Sequence, residues 1–245
     1  MNKLLKTSLL AIFFLVFLSL FQAKSKDIKV LKVYTFNRPP LYIVKGNKFF
    51  GILVEKIKKI LDKAKINYKF IEMPPARILH QLKIEVNACS IGWLKNKERE
   101  KSYIYSKPFF IENNYFIIVM RKNLNPEYKN LFKSPFFTIA LVKGFSYGDE
   151  IDKLLANSKI KKFRIPNANA KMLLKMVKNN RVDMTIVSRE EAEAFLKDSE
   201  FENSIKLIPF NERNCIKRYI IFSKKTDRDI IKRINNAIDD LENKE

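Results

Sequence analysis

The residues with chemical reach in this chain are mostly cations and aromatics. The 245 residues hold 48 Lys and Arg against 26 Asp and Glu, with one His and two Cys. That inventory excludes a structural zinc site, because no Cys/His cluster has metal-ligand spacing. Cys89 and Cys215 lie 126 positions apart. Two readings are open for them: a disulfide, which an oxidising compartment allows, or two buried apolar thiols. Arg77 follows Pro74-Pro75-Ala76, and Pro suits a first helical turn. A guanidinium there adds to the anion preference of a helix N-terminus, but Arg77 reads equally as a solvated helix charge. Trp93, the sole Trp, follows Gly92 at the end of an apolar run. It fits a stacking pocket floor or ordinary core.

The elements that must position these groups follow from periodicity. Ile28 to Tyr34 alternates and reads as a strand, Lys45-Gly46-Asn47 as a hairpin turn, and Ile52 to Ala64 as an amphipathic helix on Ile52, Ile57, Ile60 and Leu61. Tyr68 to Ile71 reads as a strand, the segment after Pro74 as a helix, and Val86 to Ile91 as a strand. This β-α-β-α-β alternation predicts a mainly parallel sheet with helices on both faces. Tyr115 to Met120 reads as extended, and the alternation then restarts with strands at Phe136–Val142, Phe163–Ile165 and Val182–Val187. Helices at Asp149–Ala156, Ala170–Val177 and Glu190–Leu196 go with them. A last strand, Tyr219 to Phe222, leads into a helix from Asp227 to Leu241 with Ile230, Ile231, Ile234, Ile238 and Leu241 on one stripe. Two α/β units imply two lobes.

Lys3 and Lys6, the apolar run Leu9 to Leu18 and the polar segment from Gln22 have the order of a secretory signal peptide. Cleavage after Ala23 or after Ser25 fits, and a retained anchor is the alternative, although the run is shorter than the ~20 residues of a membrane span. The expected location is periplasmic. The formal charge is +22, and removing Lys3, Lys6 and Lys24 leaves +19. Such a charge suits anionic polymers or lipid, but the basic residues are spread along the whole chain, and an exported protein does not meet nucleic acid. No cofactor and no nucleic-acid partner is expected.

One stretch carries a resemblance. It reads Pro74-Pro75-Ala76-Arg77, Asn87-Ala88-Cys89-Ser90-Ile91-Gly92-Trp93, Lys97-Glu98-Arg99-Glu100 and Tyr105-Ser106-Lys107-Pro108-Phe109, with Gly51 upstream and Arg181-Val182-Asp183 downstream. In order and spacing this resembles the family 3 extracellular solute-binding proteins, the polar amino-acid receptors of ABC importers, over nearly all of the mature chain.

The resemblance implies an α/β, two-lobed, periplasmic-binding-protein-like (type II) fold with two crossover segments. Residues 1–25 would be the signal peptide, 26–113 lobe 1, 114–213 lobe 2 and 214–245 the return to lobe 1. Strand ends and helix N-termini of both sheets would face the cleft. Arg99 matches the Arg of the family's Thr-x-x-Arg element, which pairs with a ligand carboxylate through its planar fork. Asn96 replaces the Thr, and a surface pair with Glu98 or Glu100 is the other reading. Arg38 falls where many members carry a stacking aromatic, a role open to Arg38, Phe36 or Tyr42. Gly144 to Gly148 resembles the Gly-Thr element, where backbone N–H groups and Ser146 would hold a carboxylate under Tyr147, or it is a plain turn. Ser188 stands where amino-acid receptors carry an Asp for the α-ammonium, with Glu190 as a possible substitute. Several Arg without a clear acidic partner point to an anionic solute, carboxylate or small peptide.

The implied function is a monomeric, non-enzymatic receptor that closes on a small polar or anionic solute and delivers it to an ABC permease. The alternatives are an envelope sensor of the same fold and a cyclohexadienyl-dehydratase-like enzyme, for which Glu55, Glu72 and Glu190 are the candidate acids.

Overall fold

The computed structural model describes residues 29–112, 116–124, 127–196, 200–201, 203–210 and 216–243. The expected leader, Cys215, and the segments 113–115 and 211–215 lie outside them. In the first sheet β1 (Leu31–Thr35) runs parallel between β4 (Tyr68–Glu72) and β5 (Ala88–Trp93). Beyond β5 come β12 (Ile216–Phe222) and β6 (Ile104–Glu112), both antiparallel to their neighbours, so the order is β4-β1-β5-β12-β6. In the second sheet the order is β11 (Ile205–Pro209), β7 (Phe116–Arg121), β10 (Met184–Ser188), β8 (Thr138–Val142) and β9 (Lys161–Ile165). There β10, β8 and β9 are parallel, while β7 is antiparallel to both of its neighbours. A hairpin of β2 (Ile43–Lys45) and β3 (Lys48–Phe50) turns at Gly46-Asn47, as the sequence implies.

Each sheet is covered on two faces. On one side of the first sheet, α1 (Ile52–Lys63) buries Leu53, Val54, Ile57, Ile60 and Leu61 against Ile230, Ile231, Ile234, Ala237 and Ile238 of α8 (Arg228–Glu242). Each of these Leu, Ile and Val side chains removed from water contributes about 1.5–3 kcal/mol. On the other side α2 (Pro75–Ile84) sets Ile78 and Leu82 beside Tyr34, Trp93, Tyr103 and Ile221. The second sheet packs on α4 (Tyr128–Lys133) and α5 (Asp149–Asn157) on one face, and on α6 (Ala170–Lys178) and α7 (Arg189–Leu196) on the other. Ile52 is exposed, contrary to the expected stripe. Leu53 and Val54 stand four and three residues before Ile57, so they share its face instead.

Several strands begin later than expected, among them β1 at Leu31 and β10 at Met184. β5 starts at Ala88 and leaves Val86 exposed, and β8 starts at Thr138 and leaves Phe136 exposed. The family-like motifs have structural duties of their own. The register of β6 against β12 shifts around Tyr219 and Ile221, and Ser106 Oγ accepts the Ile220 N–H at 2.9 Å. The hydroxyl satisfies a donor in a stretch where the ladder is irregular. Asp183 accepts from the Thr138 N–H (2.8 Å) and hydroxyl (2.7 Å) and pairs with Arg121, tying β7, β8 and β10 together.

Candidate ligand cleft

The carboxyl ends of the central strands of both sheets meet. Phe36 and Arg38 follow β1, Trp93 ends β5, Gly144 to Ser146 follow β8, and Ser188 ends β10. Crevices at such strand ends are where open α/β sheets bind ligands. Contacts among the described residues join the two halves. Phe36 meets Phe145 with ring centroids 5.5 Å apart, and Arg99 donates to the Gly144 carbonyl at 2.8 Å. Arg38 forms a two-pronged ion pair with Glu191, Nε to Oε1 at 2.7 Å and a terminal nitrogen to Oε2 at 2.8 Å.

Arg99 is 9% exposed. It is held by α3 (Lys97–Ser102), whose first turn is capped by Asn96: its side chain accepts the Arg99 N–H at 2.8 Å. This accounts for Asn in place of Thr, since both are good helix caps. The guanidinium also donates to the Leu94 carbonyl at 3.1 Å and lies 4.9 Å over the Trp93 ring. Glu100 pairs with Lys95 instead (2.9 Å), and no carboxylate forms an ion pair with Arg99 among the described residues. Burial pulls the Arg99 pKa below its ordinary value, as expected for a charge lacking a counterion.

Arg38 and Glu191 are 7% and 3% exposed. Burial works against both charges. For Arg38, Glu191's charge and hydrogen bonds outweigh it and hold the pKa above the ordinary value. For Glu191, Arg38's charge and hydrogen bonds, with help from the Ser188 N–H and Arg218, bring the carboxyl below the usual range. Arg38 also lies 4.8 Å over the Phe145 ring.

The expected residues divide by position. Phe36, Arg38, Trp93, Arg99 and Ser146 line one small inner cavity, together with Gly92, Phe145 and Arg218. Trp93 donates from its indole nitrogen to Ser90 Oγ at 2.7 Å, and Phe36 leans on it edge-on at 6.5 Å. The Ser146 hydroxyl donates to Asp152. Tyr147 is turned into the core of the second half, its hydroxyl accepting the Val142 N–H at 3.0 Å. Phe145 lines the inner cavity, whereas Tyr147 borders a separate small cavity beside Arg38 and Glu191. Ser188 is buried and bonds locally: its N–H donates to Glu191 Oε2 at 2.9 Å. Arg77 is exposed and is absent from the walls described here. Of the candidate acids, Glu55 pairs with Lys58 on the exposed face of α1 and Glu72 is exposed.

Sequence reasoning missed Glu191, Phe145 and Arg218. Ser188-Arg189-Glu190-Glu191 has the spacing of a capping box, which folds the third-position carboxylate back on the Ser. That signal singles out Glu191 over Glu190. Arg218, 1% exposed on β12, donates to the Gly92 carbonyl at 3.3 Å. Gly92 has φ +78, and a Cβ there would sit 1.5 Å from the Tyr42 hydroxyl. Cys89 is buried and its thiol pKa is pushed up by burial. Among the described residues no cluster of His, Cys, Asp and Glu suits a metal, and no helix is long and apolar enough to cross a membrane.

No protein-family model matches the chain, and no curated protein does. Solved structures match over most of its length. A protein from a study of glutathione import via GshT and the cystine ABC importer TcyBC of Streptococcus mutans is similar at TM-score 0.73 and 19% identity, over 88% of this chain and 90% of that one. An ancestral arginine-binding protein bound to arginine is similar at 0.71 and 19%, over 89% and 94%. The periplasmic VFT2 domain of Bordetella pertussis BvgS is similar at 0.71 and 16%, over 89% and 90%. The fold is thus the two-lobed, type II periplasmic-binding-protein-like one, with a cleft between two α/β halves.

Proposed function

We propose that this chain is an exported receptor, not an enzyme, whose lobes (26–113 with 214–245, and 114–213) close on a small anionic solute such as a carboxylate or short peptide. In this reading it is a monomer and hands the solute to an ABC permease in the cytoplasmic membrane. The observation that carries it is Arg99: a buried guanidinium on the cleft wall, with carbonyl partners but no carboxylate among the described residues. Arg99 shares the inner cavity with Arg38, which Glu191 already neutralises, and with Arg218. A ligand carboxylate supplies the missing charge, and its contacts to both lobes favour closure. The names of GshT and the arginine-binding protein tie similar folds to import and to amino-acid binding. Titration calorimetry against anionic, neutral and cationic amino acids and peptides tests the reading. Heat from anionic solutes that disappears in Arg99→Ala supports it, and binding of cationic solutes alone overturns it.

The sensor alternative draws on a separate feature. Arg38 and Glu191 close the lobes with the chain's own groups, and the BvgS domain shares the fold. Genes for a permease and an ATPase beside this one would favour import.

A further inference from the structure

Two of the cavities along the cleft have one wall in common. The inner cavity measures about 20 Å³, room for roughly one water. The outer groove measures about 500 Å³, within the ~300–1,000 Å³ of small-molecule sites. Arg99, Phe145 and Ser146 line both. With the lobes arranged as described, a solute that reaches Arg99 has space only on the outer side.

The outer groove has its own charge pattern. Ala76, Leu79, His80 and Lys83 present one face of α2 to it, and Arg164 of β9 faces it from the other lobe. Two carboxylates also line it. Asp152 is engaged locally, accepting the Ser146 hydroxyl and the Tyr147 N–H. Glu98 is exposed on α3. Neither Lys83 nor Arg164 forms an ion pair among the described residues. Cations therefore outnumber the available anions here, with Lys83 and Arg164 contributed by different lobes.

We propose that the outer groove is a second subsite and that the cleft takes an extended dianion. One carboxylate sits on Arg99 and the other between Lys83 and Arg164. This rests on the anionic-solute reading above and adds a second charge and a minimum length. A solute of this class is longer than an α-amino acid backbone and does not need an ammonium anchor at Ser188.

The test is calorimetry at fixed ionic strength with α,ω-dicarboxylates from succinate to suberate and the monocarboxylates of matching length. At the optimal length the dicarboxylate binds about tenfold tighter than its monocarboxylate, the worth of one charge-assisted contact. K83Q/R164Q, at two exposed positions, brings the two within about twofold. R99K weakens both. Equal affinities at every length, or a dicarboxylate advantage that survives K83Q/R164Q, overturns the second subsite while leaving the Arg99 reading intact. Absence of binding by every acid, in wild type and R99K alike, sinks both.

Discussion

Arg38 and Glu191, separated by 153 positions, form a buried two-pronged ion pair that ties the segment after β1 to the first turn of α7. The Ser188 N–H steadies the same carboxylate. Burying two charges carries a desolvation penalty that mutual attraction roughly repays, whereas stranding one of them is expensive. On the receptor reading proposed above the stranded group has an escape: the lobes open and water reaches it.

Arg38→Met is therefore expected to open the cleft, at about 3–5 kcal/mol against the closed state. Small-angle X-ray scattering should show a larger radius of gyration. R38M/E191L should return near to the wild-type dimensions, because neither charge remains. The orphaned Ser188 N–H, worth about 1–3 kcal/mol, sets the residual difference. A double variant as open as the single one would refute the latch.

Acid should also open the cleft. The Glu191 carboxyl is held below its ordinary value. A depressed carboxylate contributes in full above the open-state value, about 4.3, and its contribution is lost as pH falls through the closed-state value. The scattering radius should accordingly stay flat down to about pH 4.3 and rise below it. Glu85, lowered to about 2 by its hydrogen bonds to Lys32 and Gln81, titrates in the same acid range but within one lobe. E191Q should abolish the rise in radius while leaving acid-dependent stability from Glu85 in place.

Trp93 is the one Trp of the sequence and lies 4.9 Å beneath the Arg99 guanidinium. Solute binding at Arg99 should change its emission. Arg99→Lys keeps a charge but loses the planar fork. It should weaken solute binding by about tenfold or more and alter the emission of the unliganded protein. A variant with wild-type affinity and spectrum would place the solute elsewhere.

Gly92→Ala meets two obstacles. The φ of +78 strains an L residue, at about 1–3 kcal/mol, and the added methyl collides with the Tyr42 hydroxyl, at about 1–3 kcal/mol more. Urea unfolding should show the sum for G92A and only part of it for G92A/Y42F.

Much of the fold is legible because it is written in periodicity. The α8 stripe and the strands around Val142 and Val187 alternate or repeat so clearly that packing had little to override. β6 and β11 escaped because their residues mix polar and apolar types and their pairing partners are distant in sequence. For the cleft, the first-lobe residues around Arg99 sit in a contiguous, readable segment. Glu191, Phe145 and Arg218 do not, since each gains its meaning from the opposite lobe or from the returning strand. Tyr147 and Phe145 differ by two positions, and only the choice of which ring enters the core distinguishes them. Composition carries no trace of that choice.

The place of β12 between β5 and β6 has a consequence for assembly. The second sheet uses one continuous stretch of chain, so it can be completed as soon as that stretch is free. The first sheet cannot: until the last thirty or so residues arrive, β5 and β6 each offer an unsatisfied edge. A chain that grows N-terminus first would present those edges until its tail is made, and the half that holds β1 would be the half that finishes folding last.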